Sequence, residues 1–285
     1  MTAIHPSSEP VCNPKITVIV RARNEESNIV ATLNSLNKQN FQGFQIVIVD
    51  NGSTDNTKKV ISDFLSVNLR FQARSIEEQE IGRGKALHTG VLAANTEWIA
   101  CLDSDTVAAP NWLETICGFI SRNPRLVAGS GQIQFLDGPK HHKLLYSMGR
   151  GIIYSLAARN GQGWLSLANS WFRKSVFLAS GGTRNYPENV IPDDRILALQ
   201  LRKHGKIGFC EEAKVWTENW LTRKPQWLTH FWNELEQVRE VAGTKKPSFF
   251  QNIIRPISEL CRLFDDIKER TLHDTLSLRA RGGFH

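Results

Sequence analysis

This 285-residue sequence predicts an α/β fold built on a mostly parallel sheet. Three observations lead there. Short runs that are almost wholly apolar recur along the first 130 residues, as strands buried on both faces require. Stretches with apolar residues at helical spacing separate them, so the chain reads as successive βαβ units. Two of the apolar runs end directly in an aspartate, and open α/β sheets bind ligands beyond the carboxyl ends of their strands.

The elements follow in order. Ile16-Thr-Val-Ile-Val20 is the first strand, and 24–37 is a helix carrying Ile29, Val30, Leu33 and Leu36 on one face. Ile46-Val-Ile-Val49 is the second strand. After the turn Asn51-Gly52-Ser53, Thr54 is placed to cap a helix whose apolar face is Val60, Ile61, Phe64 and Leu65. Residues 69–73 alternate like a strand, 85–94 read as a helix, and 98–102 as another buried strand. Pro110 stands where the first turn of a helix running to Ser121 would begin. From 127 to 177 the pattern is irregular, and His141-His142 falls in a basic loop. A short helix spans 196–204, a longer one 227–241, and a helical extension 249–278. The expected organisation is a flexible leader over 1–14, a ligand-binding half over 15–130, a second half over 131–243 and an amphipathic tail over 244–285.

Composition narrows the function classes. Hydrophobic residues make up 41% and charged residues 22%, the balance of an ordinary globular protein. No apolar run approaches the ~20 residues of a membrane span, and the first 14 residues lack the apolar core of a signal peptide. The reading is a cytoplasmic protein, with the inner face of the membrane as a peripheral station. Five scattered cysteines without a CxxC pair argue against a structural zinc site. The net charge of +7 suits nucleic acid, an acidic membrane or an anionic substrate alike.

Four segments carry chemistry. Asp50 closes the second strand and can either accept hydrogen bonds from a base or ribose or simply close an Asx turn. Asp103-Ser104-Asp105 closes the strand at 98–102. Two carboxylates one residue apart at a buried strand mouth are costly unpaired, and a hard divalent cation shared with diphosphate oxygens would offset that cost. Arg83 and Lys85, in Gly82-Arg-Gly-Lys-Ala86, can meet phosphate at a helix N-terminus, although the spacing is not that of a P-loop. Asp193-Asp194 opens the helix at 196–204, either as a cap or as a general base whose neighbour raises its pKa.

Taken together, these segments resemble family 2 glycosyltransferases of the GT-A fold, in order and in approximate spacing. Residues 16–25 resemble the family's opening strand and P-x-Y-N-E turn, with Arg21 and Arg23 in place of its Pro and Tyr. Residues 48–57 are similar to its second signature, 82–90 to its G-x-x-x-A-x-N-x-G segment with His88 for Asn, and 99–106 to its metal motif. Asn169 to Lys174, Gly181-Gly182 and 192–198 resemble its acceptor-side segments. The resemblance implies a Rossmann-like GT-A sheet and transfer of one sugar from a nucleoside-diphosphate sugar to a hydroxyl. UDP is the first carrier to expect. The acceptor would be a glycan, a lipid-linked molecule or a small molecule. It implies that Ala22, Glu25 and Asp50 contact base and ribose, with Arg83 and Lys85 near the nucleotide. Asp103 and Ser104 would lie against ribose or metal, and Asp105 would ligate Mn2+ or Mg2+. Asp193 belongs to the substrate set, and Asp194 would be the base of an inverting displacement.

Trp171 and Trp216 adjoin matched segments and are candidates to stack on a sugar ring. Val215-Trp-Thr-Glu218 resembles a segment of processive synthases, but Glu236-Gln-Val-Arg239-Glu240 departs from their Q-x-x-R-W motif, so single transfer is expected. The tail carries eight basic against five acidic residues over 244–285 and one apolar face. It would pack on the chain itself or on a second copy, or touch an anionic membrane. Two other readings are a sugar-phosphate nucleotidyltransferase, which would need a Gly-rich basic loop after the first strand, and a non-catalytic basic binding module. No nucleic-acid partner is expected.

Overall fold

The computed structural model describes residues 15–67, 71–137, 140–186 and 193–218, all within the first of two compact units, which closes at Asn219. The expected leader, the helix at 227–241 and the tail lie outside the described residues. Eight strands form one mixed sheet in the order β3-β2-β1-β4-β7-β6-β8-β5. β1 (Ile16–Ala22), β2 (Phe44–Asp50), β3 (Gln72–Glu77) and β4 (Trp98–Asp103) are mutually parallel. β7 (Asn169–Arg173) runs antiparallel between β4 and β6 (Leu126–Phe135), so β6 again points the same way as β4. β8 (Lys206–Thr217) runs parallel to β6, and the short β5 (Thr106–Ala108) closes the edge antiparallel to β8. β6 runs across residue 130, so both expected halves share this sheet.

Side-chain alternation divides the sheet into two cores. Val18, Val20, Ile46, Ile48, Ala100 and Leu102 face one cluster. α1 (Ile29–Asn37), α2 (Thr57–Leu65) and α4 (Trp112–Arg122) cover it with Leu33, Leu36, Ile61, Trp112 and Ile116. Ile19, Val47, Val49, Ile99 and Cys101 face the other. There α3 (Arg83–Ala93), α6 (Lys174–Ala179) and α7 (Asp193–Leu201) contribute Leu87, Val91, Phe177, Leu197 and Leu201. Burial of so many large aliphatic side chains, each worth about 1.5–3 kcal/mol, is the main force holding the sheet to its helices.

The structure departs from the expected elements in several places, among them α7, which starts at Asp193 rather than at 196. Thr54 caps no helix. α2 starts at Thr57 without a side-chain cap, while Thr54 donates its N–H to Asn24 Oδ1 at 2.8 Å. The third strand lies at Gln72–Glu77, later than expected. The stretch 127–177 is regular: it holds β6, the 20-residue helix α5 (Lys140–Arg159) and β7. His141-His142 therefore sits in helical backbone. The Gly149-Arg-Gly151 interruption lowers helix propensity there. What holds α5 is packing of Tyr146 on Phe135 and Tyr154 on Phe209, plus the Gln132 amide donating to the Ser147 carbonyl at 2.7 Å. None of these partners is local in sequence.

Candidate active site

The sheet's carboxyl edge gathers the candidate residues. Ala22 and Asp50 are register partners at the ends of β1 and β2, and Arg21 is the partner of Asp103 at the end of β4. Alternation therefore puts Asp50 on the α1 side and Arg21 with Asp103 on the α7 side. Asp50 is buried, and its Oδ1 accepts the N–H of Ser53 at 3.3 Å and the Ser53 hydroxyl. One oxygen thus closes an Asx turn. Ala22 is buried, with its carbonyl accepting the Asn51 N–H at 2.9 Å.

Three loops interlock at this edge. Asn24 adopts a left-handed φ of 57°, a conformation that Asn tolerates because its short amide bonds locally. Its Oδ1 takes the Thr54 N–H, and its own N–H donates to Ser53 Oγ at 3.1 Å. Asn51 clamps the third loop: its amide donates to the Glu78 and Glu80 carbonyls at 3.1 and 2.8 Å, and its Oδ1 accepts the Gly82 N–H at 2.8 Å.

The metal-motif turn lies beside an acidic neighbourhood. Ser104 is buried, and its carbonyl accepts the Thr32 hydroxyl at 2.8 Å, tying the turn to α1. Pairing of Thr106 with Thr217 brings Glu218 into the electrostatic surroundings of Asp105. Burial, and then the Asp103 charge, push the Asp105 carboxyl above its ordinary range, against a Thr106 hydroxyl bond at 3.1 Å; Glu218 adds to the rise. Glu25 is likewise raised, first by burial and then by Asp105, Asp103 and Glu218, against the Asn28 amide at 3.0 Å.

Arg21 brings a cation to these acids. Its side chain is 10% exposed; Nη2 donates to Asp103 Oδ1 at 2.6 Å and Nη1 to Asp193 Oδ2 at 3.4 Å. Burial alone would lower its pKa, but the two carboxylates outweigh that and keep the guanidinium charged. Asp193 Oδ1 also accepts the Asp194 N–H at 3.1 Å, at the start of α7. The sequence marks Arg21 as a departure from the family turn, an added charge that could contact phosphate or alter base preference; its contact with Asp193 has no local signal.

The basic candidates open α3, directly after the loop that Asn51 clamps. Arg83 is exposed at the start of α3, and Lys85 pairs with Glu80 at 3.2 Å. Arg184 pairs with Glu78 at 3.3 Å and with Glu80. Trp171 requires a correction. It is fully buried in β7, edge-on to Phe119 and against Gly129, so its ring has no face for a sugar. Asn169, from the same segment, is also internal. It accepts the Trp112 indole N–H at 2.9 Å and donates to the Gln132 and Ala213 carbonyls at 2.9 and 2.8 Å. That knot braces three strands.

The sequence profile of Glycosyl transferase family 2 matches residues 17–181, more than half of the chain. The chain belongs to that family. A poly-β-1,6-N-acetyl-D-glucosamine synthase of Staphylococcus aureus strain COL is 28% identical over 217 residues, covering 70% of this chain and 49% of that protein. An uncharacterized glycosyltransferase of Haemophilus influenzae is 25% identical over 123 residues, 43% of this chain and 38% of that one. The chain thus spans half or less of the length of these curated relatives. Among solved structures, the mannosyltransferase PcManGT of Pyrobaculum calidifontis, in complex with GDP-Man and Mn2+, superposes with TM-score 0.61 and 19% identity. That match covers 97% of this chain and 78% of that one. S. aureus TarS in complex with UDP-GlcNAc gives TM-score 0.57 and 20% identity over 80% and 66%. These likenesses carry the GT-A fold.

The residues present fit a divalent cation. Among the described residues no three His, Cys, Asp or Glu come together as a ready-made metal cluster. Mg2+, however, is usually held by one or two carboxylates together with substrate phosphates. Asp105, a hard oxygen donor raised by burial and by neighbouring negative charge, is the group whose environment a cation would relieve.

Proposed function

We propose that this protein moves one sugar from a nucleoside-diphosphate sugar to an acceptor hydroxyl with inversion, in the synthesis of a polysaccharide, glycolipid or other glycoconjugate. The observation that carries it is the carboxyl edge itself, where Asp50 and Asp103 end β2 and β4 on either side of β1, Asp105 follows in the turn after β4, and Asp193-Asp194 opens α7. Family membership, and relatives solved with UDP-GlcNAc and with GDP-Man, support the donor class. UDP is the first carrier to test.

In this reading Asp50, with Glu25 and Ala22 beside it, receives the nucleoside, and Arg83 and Lys85 approach its phosphates. Asp105, with Asp103, would hold Mn2+ or Mg2+, which when bound supplies positive charge to the departing diphosphate. Asp194 accepts the acceptor's proton as the oxygen forms its bond to the anomeric carbon. The bond to the donor phosphate breaks, and the nucleoside diphosphate leaves with the electron pair. Attack from the face opposite the leaving group gives inversion.

Thermal shift of the full chain with UDP, GDP and TMP, with and without Mn2+, tests the class. Stabilisation by one of them that grows with Mn2+ is expected, because a ligand bound only by the folded state raises its stability. No shift with any nucleotide sinks the reading. Asp194→Asn is expected to keep nucleotide binding and lose transfer; surviving transfer would reassign the base.

A further inference from the structure

Arg21 stands where the family's opening turn has proline, and the fold gives it a place that a proline could not fill. Odd-numbered residues of β1 face the α7 side of the sheet, as Ile19 shows by its membership of that core. Arg21, one step beyond, emerges on the same face, opposite Asp103 in register. The helix that covers this face enters with Asp193. A single, largely buried side chain therefore meets one carboxylate at 2.6 Å from β4 and another at 3.4 Å from α7, although the two acids are ninety residues apart. The guanidinium is planar, permanently charged and forked, so it can serve both at once. Its Nε has no hydrogen-bond partner, so the two terminal nitrogens carry the link.

We propose that Arg21 is a positioning residue that ties the donor-side Asp103 to the acceptor-side Asp193. By occupying one oxygen of Asp103, it leaves Asp105 as the principal carboxylate for a divalent cation. The metal half of this proposal rests on the reading above; the tether half does not. Arg21 docks the first turn of α7, with Asp194 next in line, against the end of β4. It also places a fixed positive charge beside the metal motif, which lowers the cation's affinity and keeps the pocket poised for a metal arriving with diphosphate.

Two measurements on the full chain test this. Free Mn2+ is titrated by electron paramagnetic resonance without nucleotide, and amide hydrogen exchange is followed over 193–201. Arg21→Gln is expected to bind Mn2+ roughly tenfold more tightly, because a unit charge is removed and Asp103 is released. The same variant should exchange faster in α7 while β1 and β2 keep their protection. Arg21→Lys should restore ordinary Mn2+ affinity, since the charge remains, but not the protection of α7, since one ammonium cannot hold both acids. Asp193→Asn, which does not depend on the Arg21 variant folding, should speed α7 exchange without tightening Mn2+ binding. A merely structural arginine would not raise metal affinity when removed. Unchanged or weaker Mn2+ binding in Arg21→Gln overturns the metal half, and unchanged α7 exchange in Arg21→Gln and Asp193→Asn overturns the tether. Absence of Mn2+ binding in the wild-type chain and in Arg21→Gln would instead bring down the metal reading itself, with the exchange comparison still deciding the tether.

Discussion

The surroundings of Asp105 disfavour its charge. Its carboxyl is raised by burial and by Asp103, so the folded state keeps a proton that the unfolded chain has already released. Stability therefore drains as pH climbs from the ordinary carboxylate range through the raised value. Asp105→Asn is expected to raise the metal-free melting temperature at pH 7 by roughly 2–4 °C, the equivalent of about 1 kcal/mol in a domain of this size. It should also abolish Mn2+-dependent stabilisation by nucleotide. A variant that still responds to Mn2+ would move the metal away from Asp105. His88 shows the opposite sign. Burial, then the Arg184 charge, lowers its pKa, and its Nδ1 accepts the Thr183 N–H at 3.4 Å, which requires a neutral ring. That contribution is present above the ordinary histidine range and is lost as pH falls below it. The melting temperature should drop between pH 7 and 5.5, and less so in His88→Gln.

At the scale of elements, loops brace one another more than they cap their own helices. No side-chain cap bond closes α1, α2, α3 or α4, whereas polar residues of the loops after β1 and β2 bond to one another. Asn24 is the clearest case, with a positive φ and bonds to Ser53 and Thr54. Asn24→Ala is expected to cost about 2 kcal/mol, one hydrogen bond plus left-handed strain. Asn24→Gly, which relieves the strain, should cost less. Equal losses in urea unfolding would show that the backbone conformation is not what Asn24 supplies. This is also why Thr54 misleads as a cap: the local pattern is satisfied, but a partner thirty residues away takes the side chain.

At the scale of the described unit, a buried seam of β4, β7, β6 and β8 joins the parallel strands to the segments after residue 130. Gly131 sits in it. A Cβ there would collide with the Ala213 carbonyl and the Asn169 amide, so Gly131→Ala should destabilise by several kcal/mol in chemical denaturation. Trp171→Ala should do the same, by about 3–5 kcal/mol, as a core cavity rather than as a lost sugar contact. A Trp171 variant with wild-type stability and a raised acceptor KM would reverse that assignment. No helix among the described residues is long and apolar enough to cross a membrane.

The sequence by itself determined β1, β2 and β4 and the acids that end them, because buried parallel strands are short apolar runs and a strand's end is local information. It also determined the family, through the order of motifs over 17–181. It missed α5, whose glycines hide a helix that packing imposes, and it placed Trp171 by its neighbours in sequence rather than by burial. Only the tertiary structure decided which acids meet. Strand parity set Arg21 on the α7 face, and chain topology delivered Asp193 to it across 172 residues. Such a contact arises from three elements packing on one face, and no window along the chain contains it.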